Sequence, residues 1–202
     1  MSEPVPVQPY QLSPESMQAV SHPNTVGVQP GDVLAVHGVA LADKAIELGS
    51  ALLDEPNLAS HIAVLHHMDP KGTWWCLEGR PGGVGWRDAT AYLSSPYTIT
   101  NRNQPKTTEQ RTEICYWMNR LINLQYDWDA IVNDDLRDLH LPTLPDPWAV
   151  KDVNGEVSGH VVCSSSAVFA YYKAPCAYPE YTSQANTEPS DWVKFILDNN
   201  YA

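Results

Sequence analysis

Three side chains in this sequence are suited to acyl-transfer chemistry: Cys163, His61 and Glu78. Cys163 follows a short apolar run at residues 161–162 and opens a helical pattern, so its thiol is expected at a helix N-terminus. The unpaired N–H groups and the positive end of the helix dipole favour a thiolate there, and the thiolate is the form that attacks carbonyl carbon. A buried structural cysteine is the alternative that the local sequence leaves open.

His61 and Glu78 are predicted to meet across a β-hairpin. The two strand-like segments flank a turn at Asp69 and Pro70, and His61 and Glu78 are placed symmetrically about that turn. Burying a carboxylate alone is costly, and the sequence offers no other obvious partner for Glu78. A carboxylate beside a histidine fixes its tautomer and raises its basicity, although a histidine at the start of a strand is more often structural.

Other catalytic chemistries find less support in the sequence. His66 and His67 are adjacent on a strand, so they are expected to point to opposite faces near an exposed turn. Together with the lack of an H-E-x-x-H motif or a cysteine cluster, this divergence argues against a catalytic metal. The sequence has no G-x-S-x-G motif of serine hydrolases, and no Lys-Ser or Lys-Thr follows RPGGVG as in a phosphate loop.

Composition limits the domain count and the partners. The 202 residues suit one domain at residues 27–202, preceded by a Pro-, Ser- and Gln-rich arm at residues 1–26. With 12 Lys and Arg against 24 Asp and Glu, the net charge of −12 makes nucleic acid and anionic membrane surfaces poor partners. The sequence has no apolar stretch long enough to span a bilayer and no evident secretory signal, so a cytoplasmic protein with reduced cysteines is expected. Cys76 and Cys115 are expected to be buried, and Cys176 to be exposed in a loop.

The elements that position the candidate residues are predicted to be strands followed by helices. Strands are expected in GDVLAVHG, in both arms of the hairpin and in YTITNR, whereas RPGGVGW is expected to form a glycine-rich turn or bulge. Helices are expected at residues 41–52, from a Thr107–Gln110 capping box to about Leu124, at 127–139, from Cys163 and near Pro189, with a Pro-rich loop at 141–148. This order predicts an α+β fold in which a small antiparallel sheet or half-barrel packs against helices.

Four segments resemble those of the NlpC/P60 superfamily of papain-like cysteine hydrolases, in its circularly permuted, YiiX-like branch. GDVLAVHG resembles the family's first strand, SHIAVLHH its histidine strand, WWCLEGRPGGV the next strand with its third polar residue, and HVVCSSSAVFAYY its nucleophile helix. His61 precedes Cys163, which is the order of the permuted branch. LQYDWDAI resembles the segment that would place Tyr126 at the active site, and the likeness extends over about residues 29–196.

The resemblance implies a cysteine hydrolase of permuted papain-like fold, without a cofactor or a metal, that cleaves an amide or peptide bond through a thioester. Cys163 would be the nucleophile, His61 its base and Glu78 the residue that orients the histidine. A bond in a cell-wall peptide is the leading substrate. An acyltransferase or thioesterase acting on lipid or other acyl esters, and a non-catalytic binding protein that retains the fold, are the alternatives.

Tyr126, Ser60, Ser164 and Arg80 are the candidates for contact with the substrate. Glu78 stands where many family members have histidine, and Ser165 stands where many have glycine or glutamate, so the substrate class stays open. The branch includes many phage-encoded proteins. A phage origin, with a place in the host cytoplasm or the virion, is therefore a further expectation.

Overall fold

The computed structural model describes residues 27–36, 59–95, 98–127, 150–153, 156–180 and 187–202. The predicted arm at residues 1–26, the predicted helix at 41–52 and the Pro-rich loop at 141–148 lie outside these ranges. All but the first residue of the helix predicted at 127–139 lies outside them as well.

The described residues form nine strands and four helices. The strands are β1 Val33–Val36, β2 His61–Met68, β3 Trp74–Arg80, β4 Gly83–Asp88, β5 Thr98–Thr100, β6 Gln125–Tyr126, β7 Lys151–Val153, β8 Glu156–Ser158 and β9 His160–Val161. The helices are α1 Thr90–Ser94, α2 Thr108–Arg120, α3 Cys163–Lys173 and α4 Pro189–Asp198.

Five strands form a sheet in the order β4–β3–β2–β1–β5, and every neighbouring pair is antiparallel. Val64 lies opposite Val33 of β1 on one side and opposite Leu77 of β3 on the other. Over the described ranges β4 and β5 are the two edges, so the sheet is open and is not a barrel. The α+β class with an antiparallel sheet is therefore confirmed, while the permuted papain-like arrangement stays a prediction.

The alternation of side chains along the strands separates two apolar layers. Because both faces of the central strands are covered, β1 is buried at all four positions. The layer shared with α2, α3 and α4 contains Val33, Ala35, Ile62, Val64, Leu77, Ile114, Met118, Ala167, Tyr171, Trp192 and Ile196. The opposite layer contains Leu34, Val36, Ala63, Leu65, Cys76, Ala89, Tyr92 and Leu93.

Helix α2 begins at the predicted capping box. The Gln110 backbone N–H donates to Thr107 Oγ1 at 3.1 Å, and the Thr107 N–H donates to Gln110 Oε1 at 2.9 Å. The helix ends at Arg120, earlier than predicted, because the chain turns there and Asn123 adopts a left-handed conformation with φ of 71°. Among the described helices, none is both long and apolar enough to cross a membrane.

The segment RPGGVGW was predicted to be a turn or bulge; the turn is confirmed at residues 81–82, but the prediction was wrong for residues 83–86, which belong to a strand. It forms a tight turn followed by strand β4, which begins at Gly83. Gly83 has a φ of 97°, and a Cβ there would stand 2.7 Å from the Leu124 carbonyl oxygen, so only glycine fits. A glycine required by a neighbouring backbone looks the same in sequence as a turn glycine.

Strand β2 contains a β-bulge between Leu65 and His67. His66 and His67 consequently turn to the same side, with their Nδ1 atoms 3.1 Å apart and both rings edge-on to Trp86. The prediction that they point to opposite faces was wrong, because strict alternation ends where a strand bulges. Within the described ranges, no group of three or more His, Cys, Asp or Glu side chains could hold a metal ion.

Candidate active site

His61 and Glu78 lie where strands β2 and β3 separate. The β2–β3 register runs from Met68 opposite Trp74 to Val64 opposite Leu77, whereas residues 61–63 pair with β1 and residues 78–80 pair with β4. His61 Nε2 lies 2.8 Å from Glu78 Oε2, and both side chains are buried. The predicted contact is confirmed, and the catalytic roles of the two residues stay predictions.

Glu78 has three further partners that the sequence analysis did not foresee. The Tyr92 hydroxyl donates to Oε2 at 2.8 Å, the oxygen that faces His61. The Arg80 guanidinium pairs with Oε1 through Nε, and Arg87 Nε lies 3.3 Å from the same oxygen. The expectation that His61 was the one obvious partner was therefore wrong.

These partners keep Glu78 ionised although it is buried. Burial alone raises the pKa of Glu78, but its hydrogen bond with His61 and the charges of His61 and Arg80 outweigh burial and lower that pKa below its ordinary value. The hydrogen bond from Tyr92 acts in the same direction. A carboxylate held in this way orients the imidazole without accepting its proton.

The His61 imidazole lies between Glu78 and Cys163. Burial lowers the pKa of His61, but the electrostatic influence of Cys163 and hydrogen bonds with Cys163 and Glu78 raise it to about 9. Cys163 is therefore one of the groups that act on the His61 imidazole. Because Nε2 faces Glu78, Nδ1 is the nitrogen that is left for the sulfur.

Cys163 is the first residue of α3, as the sequence predicted. Val162 before it is extended, and its N–H donates to the Ser165 side chain at 3.0 Å, so the chain enters the helix abruptly after β9. The Ser166 hydroxyl donates to the Cys163 carbonyl oxygen at 2.6 Å and steadies the first turn. The thiol thereby lies at the positive end of an eleven-residue helix.

Gly79 of β3 allows the start of α3 to approach the sheet. A Cβ at Gly79 would stand 3.3 Å from both the Cys163 nitrogen and the Val162 carbonyl carbon. The contact lies beside Glu78, at the end of the sheet where β2 and β3 separate. The glycine therefore allows the start of α3 to approach β3 closely.

Tyr126 lies on the strand beside the one that leads into Cys163. In the parallel pair of β6 with β9, Tyr126 is opposite Val161, and the Asp127 N–H donates to the Val161 carbonyl oxygen at 3.1 Å. Tyr126 is half-buried. Its position near the start of α3 is compatible with the predicted contact to substrate.

The other predicted substrate-binding residues have different surroundings. Ser60 is buried next to His61, and its hydroxyl has no hydrogen-bond partner in the described part of the chain. The Ser164 hydroxyl donates to the Thr187 carbonyl oxygen, which ties α3 to the segment before α4. The Arg80 guanidinium donates to Glu78 and Tyr92, so it is engaged with the Glu78 carboxylate.

The three remaining thiols lie in surroundings that disfavour their ionised forms. Burial raises the pKa of Cys115 to about 11, and burial also raises the pKa values of Cys76 and Cys176. Cys76 and Cys115 are buried as predicted, but Cys176 is buried rather than exposed, contrary to the sequence prediction. All four cysteines are free.

Tyr92 and Arg87 were missed for a structural reason. Arg87 reaches Glu78 from β4, which pairs with β3 and places Gly85 opposite Glu78. That register could be read only after β4 was recognised as a strand. Tyr92 belongs to a five-residue helix, which is too short to produce a periodic signal.

Comparison with known proteins does not assign the chain to a family. A scan against protein-family models gives no match, and a search of the curated proteins finds no relative.

Proposed function

We propose that this chain is a cysteine hydrolase that cleaves an amide or peptide bond through a thioester intermediate. The observation that carries the proposal is the position of His61, between the N-terminal cysteine of α3 and the buried carboxylate of Glu78. A thiol, an imidazole and an orienting carboxylate in this order form a nucleophile, its base and the group that positions the base.

The raised pKa of His61, about 9, means that the imidazole is protonated at neutral pH. In the proposed first step the Cys163 thiolate attacks the carbonyl carbon, and a C–S bond forms. The His61 imidazolium then donates its proton to the leaving nitrogen as the C–N bond breaks. An amine departs, and the acyl group remains on sulfur as a thioester.

In the second step His61, now neutral, removes a proton from water, and the hydroxide attacks the thioester. The C–S bond breaks, the carboxylic acid leaves, and the thiolate–imidazolium pair is restored. The Cys163 backbone N–H is the nearest candidate for stabilising the oxyanion, because it stands at the open start of α3. Gly79 adds no side chain against it.

The NlpC/P60-like, circularly permuted fold is part of this proposal. It is supported by the order of the histidine strand, the carboxylate strand and the cysteine helix, and by the antiparallel sheet on which the first two lie. We propose a peptide substrate, such as a cell-wall peptide, on the strength of the sequence resemblance.

Trapping of the acyl-enzyme tests the proposal. The purified protein is incubated with peptide p-nitroanilides and acyl p-nitrophenyl esters, and its intact mass is measured over time. We expect one acyl group per chain in the wild type, none in Cys163→Ala, and the wild-type result in Cys176→Ser, a second buried cysteine outside the site.

Two outcomes would redirect the proposal. Transfer of the acyl group to an added alcohol or amine in preference to water would identify an acyltransferase. Failure of every substrate to acylate Cys163, with the fold intact by circular dichroism, would favour a non-catalytic binding protein.

A further inference from the structure

The Tyr92 hydroxyl and the His61 imidazole share one oxygen of Glu78. Each contact to Oε2 measures 2.8 Å, whereas the two arginines pair with the other oxygen, Oε1. An anionic oxygen that accepts two hydrogen bonds divides its charge between two donors. The strength of the His61–Glu78 pair therefore depends on whether the tyrosine hydroxyl is present.

Tyr92 is held so that its hydroxyl donates to Glu78 in a fixed direction. Its ring is buried in the apolar layer with Leu93 and Ala89, and Arg80 Nη2 donates to its hydroxyl oxygen. Burial and the neighbouring Glu78 charge raise the pKa of Tyr92 well above its ordinary value, in spite of Arg80. The hydroxyl therefore keeps its proton, and remains a donor, through the neutral and mildly alkaline range.

We infer that Tyr92 is a positioning residue of the proposed hydrolase, which acts through Glu78 by sharing Oε2 with His61 and moderating the hold of the carboxylate on the imidazolium. The inference rests on the proposed function. Its consequence has a definite sign. Without the hydroxyl, Oε2 interacts more strongly with His61, and the imidazolium becomes a weaker acid.

This consequence separates Tyr92 from a residue that only supports the fold. A stronger His61–Glu78 pair slows the step in which the imidazolium protonates an amide leaving group. The stronger pair does not slow a step that requires no proton transfer, such as alkylation of Cys163 or departure of p-nitrophenolate. Loss of mere support would loosen Glu78, weaken the pair and impair every reaction of Cys163 together.

The test uses Tyr92→Phe, which keeps the ring and removes the hydroxyl. Tyr171→Phe is the matched control, because the Tyr171 hydroxyl is also buried and donates to the Gly31 carbonyl oxygen at 2.6 Å, outside the candidate site. The imidazole resonance of His61, assigned with His61→Gln, is titrated by NMR in each variant. Acylation rates are measured for a peptide p-nitroanilide and for the p-nitrophenyl ester of the same acyl group.

We expect Tyr92→Phe to move the His61 midpoint upward by about half a pH unit. We also expect a fall of about three- to tenfold in the ratio of anilide to ester acylation rates, with iodoacetamide labelling of Cys163 unchanged. Tyr171→Phe should leave all three as in the wild type. A His61 midpoint that stays or falls, or equal slowing of anilide, ester and alkylation, would overturn the inference.

Failure of the proposed function would look different. Cys163 would then resist acylation in the wild type, while the His61 midpoint would still report whether the Tyr92 hydroxyl moderates the pair.

Discussion

At the residue scale, the candidate site is a group of neighbouring side chains whose protonation states depend on one another. His61 and Arg80 lower the pKa of Glu78, and Cys163 and Glu78 raise the pKa of His61. Burial opposes the charges of Glu78, Arg80 and His61, so these charges persist only while their partners are present. Removing one of these side chains should therefore shift the pKa values of the others.

The pKa of His61 should respond to the loss of Cys163 more strongly than to the loss of the Glu78 charge. Cys163 raises the pKa of His61 more than Glu78 does, and burial lowers it. We expect the NMR titration midpoint of His61 to fall from about 9 in both Cys163→Ala and Glu78→Gln, and to fall further in Cys163→Ala. Glu156→Gln, the same substitution as at Glu78 on an exposed strand, is the control.

A His61 that titrates near 6.5 in the wild type would contradict this account of the pair. The same holds for a midpoint that neither substitution changes.

Sequence reasoning located the three central residues because each left a local signal. Cys163 stood at the change from an apolar run to a helical pattern, and His61 and Glu78 were symmetric about one turn. It missed Tyr92 and Arg87 because both reach Glu78 from elements other than the hairpin. Their contacts depend on tertiary packing, which a one-dimensional pattern does not contain.

At the element scale, the site depends on how closely α3 approaches β3. The capping box of α2 and the cysteine at the start of α3 were predictable from neighbours in sequence. The bulge that turns His66 and His67 together was not predictable from a regular alternation, and Gly83 was not, because the atom that restricts it, the Leu124 carbonyl oxygen, is distant in sequence.

Gly79→Ala tests whether the close packing of α3 against β3 matters to the Cys163 thiol. The added Cβ would press on the Cys163 nitrogen and the Val162 carbonyl carbon at 3.3 Å, so the start of α3 must shift by a few tenths of an ångström. We expect the rate of Cys163 alkylation to fall by about tenfold, because small displacements of reacting groups are costly. Gly82→Ala is the control, since a Cβ there meets no atom within 4 Å.

The rates are compared after circular dichroism shows that both variants are folded. Equal alkylation rates in Gly79→Ala and the wild type would show that the spacing of α3 from β3 does not matter to the thiol.

At the scale of the whole molecule, a buried ionic cluster joins the start of β1 to α2. Asp32, just before β1, pairs with Lys106 at 3.0 Å and with Arg111 of α2 at 2.7 Å. Asp32 and the Lys106 side chain are fully buried. Burial lowers the pKa of Lys106 to about 8 even though Asp32 favours its charged form.

Asp32→Asn should destabilise the whole domain. It leaves Lys106 buried without its counter-ion, which costs about 3–5 kcal/mol in the free energy of unfolding. Urea denaturation measures the loss, and Asp32→Asn/Lys106→Met should recover part of it because the unpaired charge is gone. Glu156→Gln, an exposed acid replaced by its amide, should change the free energy of unfolding by less than about 0.5 kcal/mol.

If Asp32→Asn and Glu156→Gln proved equally stable, the cluster would not be holding the sheet to α2.

Residue-resolved alkylation measures whether Cys163 is an activated nucleophile. All four thiols are buried, with Cys163 4% exposed and Cys176 7% exposed, so accessibility does not favour Cys163 over Cys176.

The protein is treated with iodoacetamide at pH 6, and labelling of each cysteine is followed by mass spectrometry, with urea-unfolded protein as the reference for equal reactivity. At this pH ordinary thiols are almost entirely protonated, so fast labelling reports a stabilised thiolate. We expect Cys163 to be labelled first, by at least about tenfold over Cys176, and His61→Ala to remove this advantage. Labelling of Cys176 ahead of an inert Cys163 in the folded protein would show that Cys163 is structural and would contradict the hydrolase proposal.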